Sequence, residues 1–314
     1  MLDQVSLSAV DFHSPFLKTA LASLGYVRDL VRITADRSDL VEALAFTTAL
    51  DANMAPVDRD AELAVLYGRL DKSAPDDLRR PVSINSVAQS LGLPFETVRR
   101  RFVALTARGL CISTPNGVII PNSAVTSPEY GALQEARYER TRQFFLSLRA
   151  AGIVEAPLAA HEEADDPLIR AANRVVSEYA LRICPALVAL TGNVLTSLVL
   201  LELVLENIAD LDAADLPAWM ADPLQYATPR RIVSLVDGLP LSRETIRRHL
   251  QLLEDAGFCQ RRRQGYVAVP QRAAAPELFR LAETNDTDLR RMLGRLERLG
   301  VLARWEREAA SRTK

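Results

Sequence analysis

The sequence predicts a mainly α-helical protein made of two tandem repeats, each a helical segment followed by two short helices and a small β-hairpin. The first observation is internal similarity: at an offset of 148, residues 81–117 and 229–265 are identical at 13 of 37 positions without a gap. The second is a composition that favours helices: residues 40–50 are rich in Leu and Ala, and residues 194–205 are rich in Leu. The third is a turn signal at the end of the first matched segment, Asn116-Gly117, with Gly265 at the matching position of the second.

The similarity extends upstream at an offset of 154, where Asn53-Met54-Ala55 overlies Asn207-Ile208-Ala209. The repeats then meet at an acidic stretch rich in Ala and Pro, 155–166, which we interpret as a linker. We predict six segments. In the first repeat they are an N-terminal helical segment (1–80), a helix-turn-helix with its hairpin (81–125) and a helical connector with the linker (126–165). In the second they are a helical segment (166–228), a helix-turn-helix with its hairpin (229–271) and C-terminal helices (272–314).

The first repeat has the pattern of a winged helix-turn-helix. Residues 84–91 form a short amphipathic helix, Gly92 supplies a tight turn, and a second helix, 95–108, begins after Pro94. That helix places Val98, Phe102 and Leu105 on one face and ends at Gly109. The apolar runs 111–113 and 118–120, on either side of the Asn-Gly turn, then predict a hairpin, the wing.

The second repeat follows the same plan. Ser242 is a suitable N-cap for a helix over 243–256, with Ile246, Leu250 and Leu253 on the buried face. A wing is predicted over 259–269. Pro240 replaces Gly92 in this copy, which leaves the geometry of the turn between the two helices open.

One apolar stretch, 183–201, has nearly the length of a membrane span. Its counterpart in the first repeat, 29–47, contains six charged residues, so we interpret the stretch as a buried helical core that could also pack against a second subunit. We predict no membrane association, and the N-terminus lacks the pattern of a signal peptide.

The charges are segregated along the chain. The formal net charge is −2, from 38 basic and 40 acidic residues. Residues 81–121 carry a net +3 and residues 229–270 a net +4, which leaves −9 for the rest of the chain. The two predicted helix-turn-helix segments are therefore basic, as nucleic-acid binding requires.

The segment Ser242-Arg243-Glu244-Thr245-Ile246-Arg247-Arg248 resembles the recognition helix of the bacterial cyclic-AMP-receptor/Fnr regulators and is similar to GntR-type winged helices. The resemblance covers about 40 residues per copy and implies that Arg243, Glu244 and Arg248 read base edges. Glu96 and Arg100 match in the first copy, where Phe95 replaces the first arginine. No cyclic-nucleotide β-roll is visible, so no ligand is implied.

The side-chain chemistry leads to the same interpretation. Arginine recognises guanine in the major groove, glutamate accepts from cytosine, and further arginines bind phosphates. The candidate DNA-binding residues are Glu96, Arg99, Arg100, Arg101, Arg243, Glu244, Arg247, Arg248, Arg261, Arg262 and Arg263. The alternative for these arginines is a solvated face balanced by nearby acids. His249 replaces Arg101, and we expect it to be exposed, with a pH-dependent phosphate contact as the alternative.

No catalytic, metal-binding or phosphate-loop motif occurs, so we predict neither an enzyme nor a cofactor. The favoured function is a bacterial transcriptional regulator, cytoplasmic and nucleoid-associated, that reads a bipartite site in double-stranded DNA. The helical segments are the candidate homodimer surface, and any effector is unknown. Two alternatives remain open: a plasmid-type replication initiator with tandem winged helices, and a winged-helix protein-interaction scaffold.

Overall fold

A computed structural model describes residues 15–36, 38–155, 166–212, 214–269 and 275–312. These residues are mainly helical and contain two small antiparallel sheets of two strands each, which confirms the predicted fold class at that level. The predicted linker at 155–166 lies, apart from its two end residues, outside the described residues.

The described residues between 15 and 150 form seven helices, one 3-10 turn and one hairpin. In chain order they are α1 Pro15–Ala35, α2 Leu40–Arg59, α3 Ala61–Leu66, the 3-10 turn Asp76–Leu78, α4 Ile84–Leu91, α5 Phe95–Ala107, β1 Ile112–Thr114, β2 Gly117–Ile119, α6 Asn122–Val125 and α7 Pro128–Ala150.

The second half has a similar order of elements. They are α8 Ile169–Thr191, α9 Val194–Ile208, α10 Leu216–Ala221, α11 Pro223–Tyr226, α12 Ile232–Gly238, α13 Arg243–Asp255, β3 Cys259–Arg262, β4 Gly265–Ala268, α14 Ala275–Arg298 and α15 Val301–Arg312.

The chain forms two compact units. Unit A comprises the described residues from Asp29 to Pro185 and from Asp288 onwards, and unit B those up to Arg28 and from Ala186 to Thr287. Unit A contains residues 81–120, which we call module 1, and unit B contains residues 229–268, which we call module 2.

The predicted buried face of each second helix is confirmed. In module 1, Val98, Phe102 and Leu105 are buried where α5 packs against α4 and α2. Burial of one such side chain stabilises a fold by about 1.5–3 kcal/mol. In module 2, Ile246 and Leu250 are likewise buried where α13 packs against α12 and α9.

One buried asparagine joins module 1 to the helix before it. The Nδ2 group of Asn53, on α2, donates to the carbonyl oxygens of Arg80 at 2.7 Å and Val118 at 3.1 Å. Its Oδ1 accepts from the backbone N–H of Ile120 at 2.8 Å. All three bonds are to backbone groups of the strand region, so this side chain fixes the hairpin on α2.

Asn207, on α9, makes the corresponding bonds in unit B. Its Nδ2 donates to the carbonyl oxygens of Thr228 at 2.8 Å and Tyr266 at 3.1 Å, and its Oδ1 accepts from the N–H of Ala268 at 2.8 Å. Every partner lies 148 positions beyond its counterpart in unit A, and the asparagines themselves lie 154 apart. The two sequence offsets, 154 upstream and 148 downstream, are therefore both found in this one set of asparagine–backbone hydrogen bonds.

Each hairpin also pairs with a preceding extended residue. Val82 forms an antiparallel bridge with Val118, and Arg230 forms one with Tyr266. The glycine that opens the second strand lies directly against that residue: a Cβ at Gly117 would collide with the carbonyl oxygen of Val82. The hairpin prediction is confirmed, but the turn residues are Pro115 and Asn116, and Gly117 is required by this close approach.

The turn between the first and second helices differs between the modules. Gly92 ends α4 in the left-handed conformation, with φ 62°. In module 2 the helix ends one position earlier, and Leu239 is extended, with φ −128° and ψ 138°. Leu239 precedes Pro240, and a residue before proline is disfavoured in the helical region.

The apolar stretch 183–201 spans the end of α8 and the start of α9. Residues 194–199 are buried as predicted, whereas 183–193 are half-buried or exposed, so the expectation of a buried core holds for the second part only. Within the described residues no single helix has both the length and the apolar composition of a membrane span; α8 and α9 meet these criteria only together, as a pair bent by 91°.

Candidate nucleic-acid interface

The candidate residues of module 2 lie on α13 and on the β3–β4 hairpin. The Ser242 hydroxyl caps α13 by accepting from the N–H of Thr245 at 3.1 Å, so the helix begins at Arg243 as predicted. The strand β3 packs against α13, and Glu254 Oε1 accepts from the backbone N–H of Arg261 at 3.1 Å. These contacts hold the hairpin next to the helix.

The exposed face of α13 carries one ion pair. Arg247 donates to both carboxylate oxygens of Glu244, at 2.6 and 2.9 Å, and both side chains are more than half exposed. The hydrogen bonds from Arg247 hold the pKa of Glu244 below its usual range. Such an exposed pair contributes little to stability, so a ligand that competes for either partner can separate it at low cost.

Five arginines on α13 and the β3–β4 hairpin are exposed, and their side chains have neither a hydrogen bond nor an ion pair with any described residue. They are Arg243, Arg248, Arg261, Arg262 and Arg263. Arg231, which sequence reasoning did not select, shares these properties at the start of α12. The neighbouring Arg230, by contrast, is half-buried and donates to Asp210 Oδ2 at 2.7 Å.

The arginines of module 1 are in a different situation, because each is paired with a carboxylate. Arg99 binds both oxygens of Glu96, at 2.7 and 2.9 Å, and Arg100 donates to the same carboxylate at 3.1 Å. These hydrogen bonds, that of Arg99 first, lower the pKa of Glu96 to about 2. Arg100 is nevertheless 75% exposed and accessible to a second anion.

Arg101 and Arg108 pair with α2. Arg101 Nη2 lies 3.0 Å from Asp39 Oδ2, and Arg108 Nη2 lies 2.5 Å from Glu42 Oε1. Arg101, one of the predicted DNA-binding residues, thus links α5 to the first turn of α2. The hairpin of module 1 adds no charge, since its turn is Pro115-Asn116.

The prediction for His249 is wrong. Its side chain is buried in unit B, and its Nδ1 lies 2.9 Å from the Thr196 hydroxyl. Burial, with a smaller effect from Arg248, lowers the pKa of this imidazole. His249 follows Ile246 by three positions and precedes Leu253 by four, so it lies on the apolar face of α13 rather than on the basic one.

Comparison with known proteins identifies no relative: no family model matches the chain, and neither a curated protein nor a solved structure gives a match.

Proposed function

We propose that this chain is a sequence-specific DNA-binding transcriptional regulator with two tandem winged helix-turn-helix modules, in which module 2 makes the principal contacts. The observation that supports this proposal most is the set of five exposed, unpaired arginines on α13 and its hairpin. In a chain with 40 acidic residues, guanidinium groups that have no internal counterion are available for phosphates and base edges.

In this proposal α13 enters the major groove through its N-terminal half. Arg243 and Arg248 donate to guanine O6 and N7, and Glu244, once separated from Arg247, accepts from cytosine N4. The released Arg247 then binds a phosphate. The three hairpin arginines, Arg261 to Arg263, contact the flanking backbone or minor groove, which orients the helix without reading sequence.

Module 1 supplies a second contact of lower specificity. Its α5 offers Glu96, Arg99 and Arg100 at the positions equivalent to Glu244, Arg247 and Arg248, but exposes Phe95 where module 2 has Arg243. With a neutral hairpin and paired arginines, it has fewer groups free to bind phosphate. The site expected for the chain is therefore bipartite and unequal in its two halves.

The test is fluorescence anisotropy of the full chain with a labelled, mixed-sequence duplex of about 30 base pairs, over a series of salt concentrations. The double variant Arg243→Ala/Arg248→Ala should weaken binding at least tenfold and reduce the salt slope by about 2. The matched control, Arg59→Ala/Lys72→Ala, removes two exposed charges outside the modules and should leave the slope unchanged. Equal effects of the two double variants would reject the proposal.

A second candidate, a protein-interaction scaffold, is favoured by one feature of module 1. Phe95 and Val103, two turns apart on α5, are 47% and 56% exposed, which is unusual for large apolar side chains on a DNA-reading helix. If α5 binds a protein partner instead of DNA, Glu96→Gln and Arg100→Ala will not change DNA affinity, whereas the module 2 variants still will.

A further inference from the structure

Unit A contains a cavity of about 840 Å³ that the DNA-binding proposal does not use. It lies between α2, α7 and the first half of α8, and its wall also includes the C-terminal ends of α1 and α5 and the segment before α4. A volume of this size suits a drug- or metabolite-sized ligand. The wall is apolar at Phe46, Leu50 and Met54, and 12 of its 35 lining residues are charged, seven arginines and five acids.

Arg79 is the most deeply buried cation of the cavity, with only 4% of the residue exposed. Its Nη2 donates to the Ala74 carbonyl oxygen at 3.0 Å and the Ser73 hydroxyl at 3.2 Å, and its Nε lies 3.4 Å from Asp76. Its Nη1 has no hydrogen-bond partner among the described residues. A buried, unsatisfied donor of a charged group is costly, and a ligand oxygen at this position would satisfy it.

Arg170 contributes a second buried cation, and this one has no counterion. It is buried and donates only to carbonyl oxygens, of Leu70 at 2.9 Å and Val125 at 2.8 Å, and forms no ion pair within the described residues. Arg174 lines the same cavity and is paired with Asp58 at 2.6 Å. Burial lowers the pKa of both Arg79 and Arg170, which shows that the site disfavours their charge as it stands.

Tyr130, on α7, presents a hydroxyl to this group of cations. Burial raises the pKa of this hydroxyl, and four nearby cations counteract part of that increase: Arg137, Arg170, Arg79 and Arg174. The hydroxyl has no hydrogen bond with any described residue, although the ring packs on Phe46 at 6.1 Å between centroids. It is therefore free to donate to an anion.

The cavity also offers acceptors. The Oδ1 of Asn173 is buried and has no partner among the described residues, while its Nδ2 is held by Gln134. The carboxyl group of Asp51 lines the cavity as well. A ligand that satisfies both sets of groups needs an anionic group and at least one hydrogen-bond donor.

We propose that this cavity binds a small organic anion, a metabolite whose phosphate or carboxylate group is held by Arg79, Arg170 and Tyr130 and whose donor groups face Asn173 and Asp51. The inference stands independently of the DNA-binding proposal. Leu105 of α5 and Arg108, which caps that helix, also line the cavity, so an occupied site contacts the helix that carries Glu96 and Arg100.

The test is calorimetric titration of the full chain, without DNA, with AMP, pyrophosphate and citrate, and with spermidine as the cationic control. We expect saturable 1:1 binding of at least one anion and none of spermidine; the phosphate and carboxylate arms distinguish the two ligand classes. Absence of saturable binding by all three anions at millimolar concentration would overturn the proposal.

Two variants locate the site. Tyr130→Phe removes only the hydroxyl and should weaken anion binding about three- to tenfold, and Arg79→Gln should weaken it more. The matched control is Tyr138→Phe, the same change two turns further along α7, where the ring packs on Trp305 at 5.1 Å and does not line the cavity. Should Arg79→Gln fail to fold, Tyr130→Phe remains decisive: equal affinities for the two phenylalanine variants would place the anion elsewhere.

Discussion

The Nδ2 group of Asn207 donates to the carbonyl oxygen of Tyr266 at 3.1 Å, a hydrogen bond between two residues 59 positions apart. The same side chain also bonds to Thr228 and Ala268, so one buried amide satisfies three backbone groups of module 2. Since an unsatisfied buried polar group costs about 1–3 kcal/mol, this residue holds the hairpin on α9.

We therefore expect Asn207→Ala to lower the free energy of unfolding of unit B by about 2–5 kcal/mol. Asn53→Ala should have a similar effect on unit A. Urea denaturation, with hydrogen exchange to assign each loss to its unit, measures both. The control is Asn85→Ala, on the exposed face of α4, which should change stability by less than about 0.5 kcal/mol.

A methyl group at Gly117 or Gly265 should disrupt the bridge that completes each hairpin. The Cβ would meet the carbonyl oxygen of Val82 or Arg230, and both glycines have positive φ, 129° and 150°. Each alanine variant should lose about 1–3 kcal/mol of stability in thermal or urea unfolding. By contrast, Gly131→Ala, inside α7 with open space around its Cβ, should gain about 0.5–1 kcal/mol.

Separation of Glu244 from Arg247 should strengthen non-specific DNA binding. Glu244→Gln frees the Arg247 guanidinium, so affinity for mixed-sequence duplex should rise about two- to fivefold, and the salt slope should increase by about 1. Asp255→Asn removes the same charge from the same helix, but its partner is Gln251 and no arginine is released. If both variants raise affinity equally, the effect is one of net charge alone.

Stability of unit A should depend on Asp51. Burial, and then the charges of Asp58 and Glu178, raise the pKa of this carboxyl to about 7. Because that lies above the pKa of an unfolded aspartate, about 3.9, the folded state binds more protons, and stability falls as pH rises from about 4 to 7. Well above pH 7 the carboxyl is ionised in both the folded and the unfolded state, so the stability lost through Asp51 no longer changes with pH.

Asp51→Asn should consequently be more stable than the parent at pH 8, by on the order of 2–4 kcal/mol, and the difference should shrink towards pH 4.5. Urea denaturation at several pH values measures it, with the exposed Asp77→Asn as control. A stability difference that does not vary with pH would show that Asp51 ionises normally.

Local chemistry explains the parts of the fold that sequence reasoning predicted. Helix α13 begins at Arg243 because Ser242 caps it, and Val98, Phe102 and Leu105 are buried because their spacing places them on one helical face. His249 was predicted to be exposed, because Arg101 in the first repeat suggested a polar position. Its burial on the apolar face of α13 results from packing against α9, whose Thr196 lies 53 positions earlier in the chain.

The sequence by itself determined the repeat, the helical class, the two hairpins and the basic character of the two modules, since each depends on residue type and short spacing. Only the tertiary structure decided which arginines are free. Arg101 and Arg243 are the same residue type, each on the second helix of its module. The tertiary structure gives Arg101 a carboxylate partner, Asp39. The anion cavity likewise exists only after folding, because Arg79, Tyr130 and Arg170 come from distant segments that no sequence pattern links.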